Sequence, residues 1–133
     1  MLLVKTKIDK SSIEGIGLFA EQFIPKETII WEYHPLLDRK FTQDEFDMFT
    51  GLKKEYLERY CFKFNNCYYL CFDNDRFVNH SNNPNCYSSE YSDKFIGYTK
   101  ALRDIEIGEE LTDNYNEFGL NDMDKLYHGN KGF

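Results

Sequence analysis

The apolar runs of this chain are short and are cut repeatedly by turn-forming residues, which restricts the fold to many small elements. After the turn Pro25-Lys26-Glu27, the β-branched run Thr28-Ile29-Ile30-Trp31-Glu32-Tyr33 reads as a strand. Residues 2–8 alternate loosely and read as another, and Ile13 to Ala20 is a glycine-containing turn leading into a third. Residues 60–72 fit two short strands around Asn65-Asn66, and residues 94–102 fit one more. The turn from Asp104 to Glu110 precedes a short strand at Leu111-Thr112. One helical insertion interrupts the series. Thr42-Gln43-Asp44-Glu45 fits a capping box, and Phe46, Phe49, Leu52, Tyr56, Leu57 and Tyr60 recur at helical spacing, with Gly51 placed to split the helix in two. Met123, Leu126 and Tyr127 repeat that spacing in the tail. The expected class is mostly β with short helices; no parallel βαβ series is visible.

A chain of 133 residues without repeats or linkers reads as a single domain, residues 1–133. Ten Tyr and twelve Phe make aromatic-lined cavities feasible. The formal charge of -7 and the lack of a Lys/Arg run argue against direct nucleic-acid binding and favour a cationic partner such as a lysine-bearing peptide. The opening Met1-Leu2-Leu3-Val4-Lys5 is too short an apolar run for a signal peptide, and no stretch approaches the roughly 18 apolar residues of a membrane span, so an intracellular location is expected. Cys61, Cys67, Cys71 and Cys86 form no CxxC pair. That gives a metal site little support and favours free thiols over disulfides.

Gly15-Ile16-Gly17-Leu18-Phe19-Ala20 matches the dinucleotide-binding pattern, and Asp38 lies at about the right distance for its ribose acid. That reading requires a helix directly after the glycines. Here Pro25 and a β-branched strand follow instead. Two readings remain: a tight turn between strands, or a turn whose backbone a ligand can approach closely.

Three further stretches stand downstream: Glu32-Tyr33, then Arg76-Phe77-Val78-Asn79-His80-Ser81-Asn82-Asn83-Pro84-Asn85-Cys86, then Gly108-Glu109-Glu110-Leu111-Thr112-Asp113-Asn114-Tyr115. With the glycine string they resemble the motifs of SET-domain lysine methyltransferases, in particular the very short viral and bacterial type without cysteine-rich flanks. The resemblance runs from about residue 4 to 118, leaving 119–133 as a tail. It implies small, mostly antiparallel sheets with a C-terminal pseudoknot, S-adenosylmethionine as cofactor, and a lysine-containing protein substrate entering from the opposite face. Small members of the family can pair, which admits a homodimer.

The resemblance also implies roles. Backbone around Gly15, Ile16 and Gly17 would hold the methionine moiety of the cofactor. Tyr33 and Arg76 would line its pocket, Asn79 would bind the methionine end, and the backbone of His80 would meet the adenine. Tyr115 would stand beside the transferring methyl. Tyr60 resembles a lysine-channel tyrosine and is paired with Tyr115 as catalytic. Tyr87, Asp113 and Phe118 would line the substrate channel, with Phe118, Tyr127 or Phe133 closing it. Glu109-Glu110 reads as a solvated turn, and Cys86 as packing rather than a nucleophile.

The chemistry suits such a site. A lysine amine, with pKa about 10.4, must lose a proton before it attacks a sulfonium-bound methyl. A narrow aromatic channel disfavours the ammonium by desolvation. A neighbouring cation at about 4 Å and an effective dielectric of about 20 opposes it by about 4 kcal/mol, roughly three pKa units. A dedicated base is then unnecessary, and a tyrosine oxygen suffices to orient the amine and contact the methyl.

The sequence departs from the family pattern at Ile16, where an aromatic is usual, and at His34-Pro35, where a glycine usually follows the tyrosine. It departs again at Asp113, where Phe or Tyr is usual. A carboxylate facing the channel would stabilise the ammonium and oppose reaction, so Asp113 is expected to point elsewhere if the chain is an active enzyme. The alternative is a catalytically weak module of the same fold that binds a peptide or protein partner.

Overall fold

The computed structural model describes residues 1–64, 66–90 and 97–114. In chain order they form β1 (Thr6–Lys10), β2 (Ile16–Ala20), β3 (Ile29–Glu32), β4 (Arg39–Thr42), α1 (Gln43–Asp47), α2 (Gly51–Tyr60), β5 (Phe62–Phe64), β6 (Cys67–Leu70), a 3-10 turn (Asn74–Phe77), β7 (Asn79–His80), β8 (Cys86–Glu90), β9 (Gly97–Ala101) and β10 (Thr112–Asp113). These elements are mostly strands in small antiparallel sheets, as expected.

β1 and β2 form a hairpin whose register pairs Lys10 with Ile16 and Thr6 with Ala20. β3, β9 and β8 form a second sheet in that order, and β4, β6 and β5 a third. Among the described residues the exception to antiparallel pairing is β7 with β10, which run parallel and align Asn79 with Thr112 and His80 with Asp113. Parallel neighbours need a long crossover. Here β8 and β9 lie within it.

Two apolar clusters hold these pieces. The first is aliphatic: Leu18, Ala20, Ile24, Ile30, Ala101, Ile105 and Leu111 are sealed from water together with Cys86. It joins β2, β3, β8 and β9 to the 104–111 turn, where Leu111 N donates to Leu18 O and Ile24 exchanges backbone hydrogen bonds with Ile105. The second is aromatic and belongs to the helical insertion: Phe41, Phe46, Leu57, Cys61 and Tyr68. Phe46 stacks on Tyr68 with centroids 3.7 Å apart.

The insertion begins as its sequence predicts. Glu45 N donates to Thr42 Oγ1 at 3.2 Å, and Thr42 N to Glu45 Oε2 at 2.9 Å, closing the capping box. The first helix ends at Asp47 with Met48 as its C-cap, and Gly51, at φ +61°, opens the second in the left-handed conformation. No helix among the described residues is long and apolar enough to cross a membrane. The described cysteines are unpaired thiols. The helical spacing at Met123, Leu126 and Tyr127 lies outside the described residues.

Candidate active site

The glycine turn between β1 and β2 is glycine-rich for two different reasons. Gly15 sits at φ +49°, with open space where a side chain would begin. Its requirement is conformational. At Gly17 the requirement is steric: a Cβ there would lie 2.1 Å from Glu110 Oε1 and 3.2 Å from Ser11 Cβ. The close approach at Gly17 is therefore made by a carboxylate of the same chain.

That carboxylate is the hub of a polar junction. Ser11 Oγ donates to Glu110 Oε1 and Oε2 at 2.8 and 3.0 Å. The same hydroxyl accepts from Ile13 N at 2.9 Å and Glu14 N at 3.2 Å, folding the turn on itself. Asn79 Nδ2 donates to Glu110 Oε1 at 2.9 Å, to Glu14 O at 3.2 Å and to Ile16 O at 3.3 Å. Asn79 is 4% exposed, so these contacts stand largely clear of water, where hydrogen bonds to a charge are strongest. The expectation of a solvated turn at Glu109-Glu110 is thus corrected. Glu109 caps Glu106 N and pairs with Arg103 at 3.1 Å, while Glu110 turns inward.

Asn85 braces the other side. Its Nδ2 donates to Glu110 O at 2.8 Å, and its Oδ1 accepts from Thr112 N at 2.9 Å. Ser81 N donates to Asp113 O at 3.0 Å, extending the β7–β10 pair. The glycine turn, Asn79-His80 and Thr112-Asp113 therefore meet at one place. His80 lies at its rim, with Nε2 hydrogen-bonded to Asn82 Oδ1 at 3.0 Å.

Asp113 is buried, and its carboxylate accepts a short hydrogen bond from Ser88 Oγ, which lies 2.6 Å from Thr99 Oγ1. Each hydroxyl has one proton, so if Ser88 donates to Asp113, Thr99 donates to Ser88. Asp113 Oδ1 also accepts from Asn114 N at 2.8 Å. Alternation along β8 turns Tyr87 to the face opposite Ser88, where Lys100 Nζ lies 6.0 Å from its ring. Tyr87 and Asp113 thus belong to different faces of that sheet.

Among the described residues, Tyr33 and Tyr60 belong to two separate aromatic groups. Tyr33 meets Tyr69 edge-on at 5.4 Å, Tyr69 stacks on Phe62 at 5.2 Å, and Phe62 meets Trp31 at 6.2 Å. Tyr60 contacts Tyr56 at 4.7 Å and Phe77 at 5.8 Å. The Arg76 guanidinium lies 5.1 Å from the Phe77 ring, and its Nη1 donates to Phe72 O at 3.4 Å. Tyr60 and Arg76 therefore share Phe77 as a neighbour. Tyr115 and Phe118 lie outside the described residues.

Burial raises two groups beside the junction. The Cys86 thiol is held well above its usual range by desolvation, then by the charges of Asp113 and Asp75, which disfavours the thiolate a nucleophile needs. Asp75 is pushed up to about 8, first by desolvation and then by Asp73 and Asp113. Its one side-chain donor among the described residues is the Cys71 thiol, 3.7 Å away.

Ser11, Asn85 and Glu110 carry the junction without any periodic signal in the sequence. Ser11 and Glu110 are 99 positions apart. The available hint was that Glu110 and Asn85 lie inside the two specific motifs.

Known proteins resemble this chain in sequence and in fold. The SET domain family model matches residues 15–116. The Drosophila melanogaster histone-lysine N-methyltransferase SETD1 is 33% identical over 124 residues, covering 87% of this chain and 7% of that protein. A Candida albicans histone-lysine N-methyltransferase, H3 lysine-36 specific, is 32% identical over 126 residues, covering 84% and 14%. The chain thus spans a small part of the length of these relatives. Among solved structures, a Plasmodium falciparum protein assigned as a histone methyltransferase superposes with a TM-score of 0.62 at 21% identity, covering 86% of this chain and 95% of that one. A humanized mutant of the Chaetomium thermophilum Polycomb Repressive Complex 2 gives a TM-score of 0.65 at 22% identity, covering 90% and 16%. The family match over most of its length, on a fold shared with these structures, makes this chain a member of the SET-domain family.

Proposed function

We propose that this chain is a protein-lysine N-methyltransferase whose cofactor, S-adenosylmethionine, is seated on the glycine turn and the Asn79-His80 strand. The observation that carries the reading is the bond from Asn79 Nδ2 to Ile16 O, which joins two family motifs 63 positions apart. The residues fit such a cofactor. The rim of the turn is open at Gly15, and Ile16 is 49% exposed beside it, so backbone and an apolar side chain are available to a ligand. Because Nδ2 is committed to the turn, the atom of Asn79 that suits an amino-acid ammonium is its acceptor, Oδ1. The backbone of His80 and the side chains of Tyr33 and Arg76 complete the proposed cofactor wall.

When bound, S-adenosylmethionine supplies a methyl group activated on a sulfonium. The residues of this chain align and desolvate the acceptor amine. Tyr60, Tyr87 and Phe118 are the proposed aromatic walls that disfavour the ammonium form and tolerate a methylated cation. Tyr115 is the proposed orienting phenol. The relatives named above act on histones; for this chain the acceptor class proposed is a lysine in a protein, histone or otherwise. The binding-only alternative draws less support from Asp113 once its carboxylate is seen engaged by Ser88.

Incubating the protein with methyl-labelled cofactor and a mixed protein substrate tests the reading. Label is expected on lysine side chains. Tyr115→Phe is expected to keep cofactor affinity while turnover drops sharply. Cofactor binding with no label transferred to any lysine would leave the binding-only module, and near-normal turnover of Tyr115→Phe would remove that residue's role.

A further inference from the structure

We propose that Glu110 is a positioning residue for the cofactor seat, holding the glycine turn and Asn79 in register through one carboxylate; this rests on the functional reading above. Glu110 is fixed from both sides along its backbone. It bridges Phe19 of β2 in antiparallel fashion, and its carbonyl accepts from Asn85 Nδ2. The side chain is thereby aimed into the space that Gly17 leaves open.

From there it reaches the two ends of the seat. Through Ser11 it orders the 11–14 backbone, since the hydroxyl that donates to Glu110 also accepts from Ile13 N and Glu14 N. Through Asn79 it fixes the amide that donates to Glu14 O and Ile16 O. A rotation of Asn79 would release the turn carbonyls and turn Oδ1 away from the proposed ammonium site together. The carboxylate forbids this rotation, because an anion accepts from Nδ2 and would repel Oδ1. Glu110 therefore also sets which way the Asn79 amide faces, with no contact to the ligand required. A glutamine cannot do the same. Its carbonyl oxygen in the place of Oε1 could still accept from both Ser11 and Asn79, but without the charge, and its Nε2 in the place of Oε2 would turn a donor toward Ser11 Oγ, which already accepts from Ile13 N and Glu14 N.

The test compares wild type with Glu110→Gln, Glu110→Ala and Ser11→Ala in the full chain. Calorimetry gives cofactor affinity, steady-state kinetics give the KM-against-kcat split, and circular dichroism confirms the fold. Glu110→Gln, nearly isosteric and expected to fold, should weaken cofactor affinity roughly tenfold, as loss of a charge-assisted hydrogen bond predicts. KM for the cofactor should rise in step, with kcat at saturation near wild type. Ser11→Ala should weaken binding in wild type but add little on top of Glu110→Ala, because the two act through one contact. A folded Glu110→Gln that binds cofactor as wild type does would overturn the role of Glu110 and leave the methyltransferase reading intact. Additive Ser11 and Glu110 effects would also overturn it. A folded wild type that binds no cofactor would overturn both.

Discussion

The glycine-turn junction and the helical insertion are both well packed, by opposite means. The insertion is local and aromatic: Phe41, Phe46, Leu57, Cys61 and Tyr68 come from neighbouring turns of chain. The junction is polar and assembled from afar, with Ser11, Asn79, Asn85 and Glu110 drawn from four separate segments. Nondirectional apolar burial tolerates repacking, whereas a hydrogen-bonded hub fixes atoms in place. A rigid polar junction is what a reaction needing alignment requires.

Breaking the insertion should cost the most stability. Phe46, 2% exposed and stacked on Tyr68, should lose about 3–5 kcal/mol as Phe46→Ala, read by urea denaturation. If the two regions are energetically separate, cofactor affinity of the folded fraction stays unchanged.

The next effect contrasts two carboxylates. Glu110 receives a hydroxyl and an amide, while Asp75 receives a thiol and faces other acids. Its folded pKa, about 8, stands above the ordinary carboxylate value of 3.8. The folded state therefore holds this proton more tightly than the unfolded chain does. The contribution is fully present below about pH 4 and is lost as pH rises through about 8. Asp75→Asn should stabilise the protein by on the order of 2–3 kcal/mol near pH 9, allowing for water reaching the half-buried residue, and by less near pH 5. A gain independent of pH would show that Asp75 is already ionised.

Gly17→Ala should follow, at about 1–3 kcal/mol, because its Cβ must displace the Glu110 carboxylate. Unlike Phe46→Ala, it should also weaken cofactor binding. Equal effects of the two on affinity would erase the distinction between the regions. Smallest is Thr42→Ala, about 1 kcal/mol from loss of the capping box, read as a lowered melting temperature with binding intact.

The same contrast explains what could be read in the chain. The insertion was legible because its signals are local: Thr42 to Glu45 for the cap, helical spacing from Phe46 to Tyr60, and Gly51, which opens the second helix just after the break at 48–50. The β3 run was legible from its β-branched residues. Strand β4, Arg39-Lys40-Phe41-Thr42, carries little strand signal and is set by pairing with β6. The two-residue strands β7 and β10 owe their existence to each other across the crossover. The motifs marked Gly15 to Gly17, Asn79 and His80, and the fold brings these together. Motifs could not separate Glu109 from Glu110, because only the distant Ser11 and Asn79 give one of them an inward place.

The most direct measurement follows backbone amide chemical shifts while S-adenosylmethionine is added. The largest changes are expected at Glu14 to Gly17 and Asn79 to Ser81, with the insertion from Phe41 to Leu70 little affected. Changes confined to the insertion, or none at saturating cofactor, would contradict a seat built on the junction.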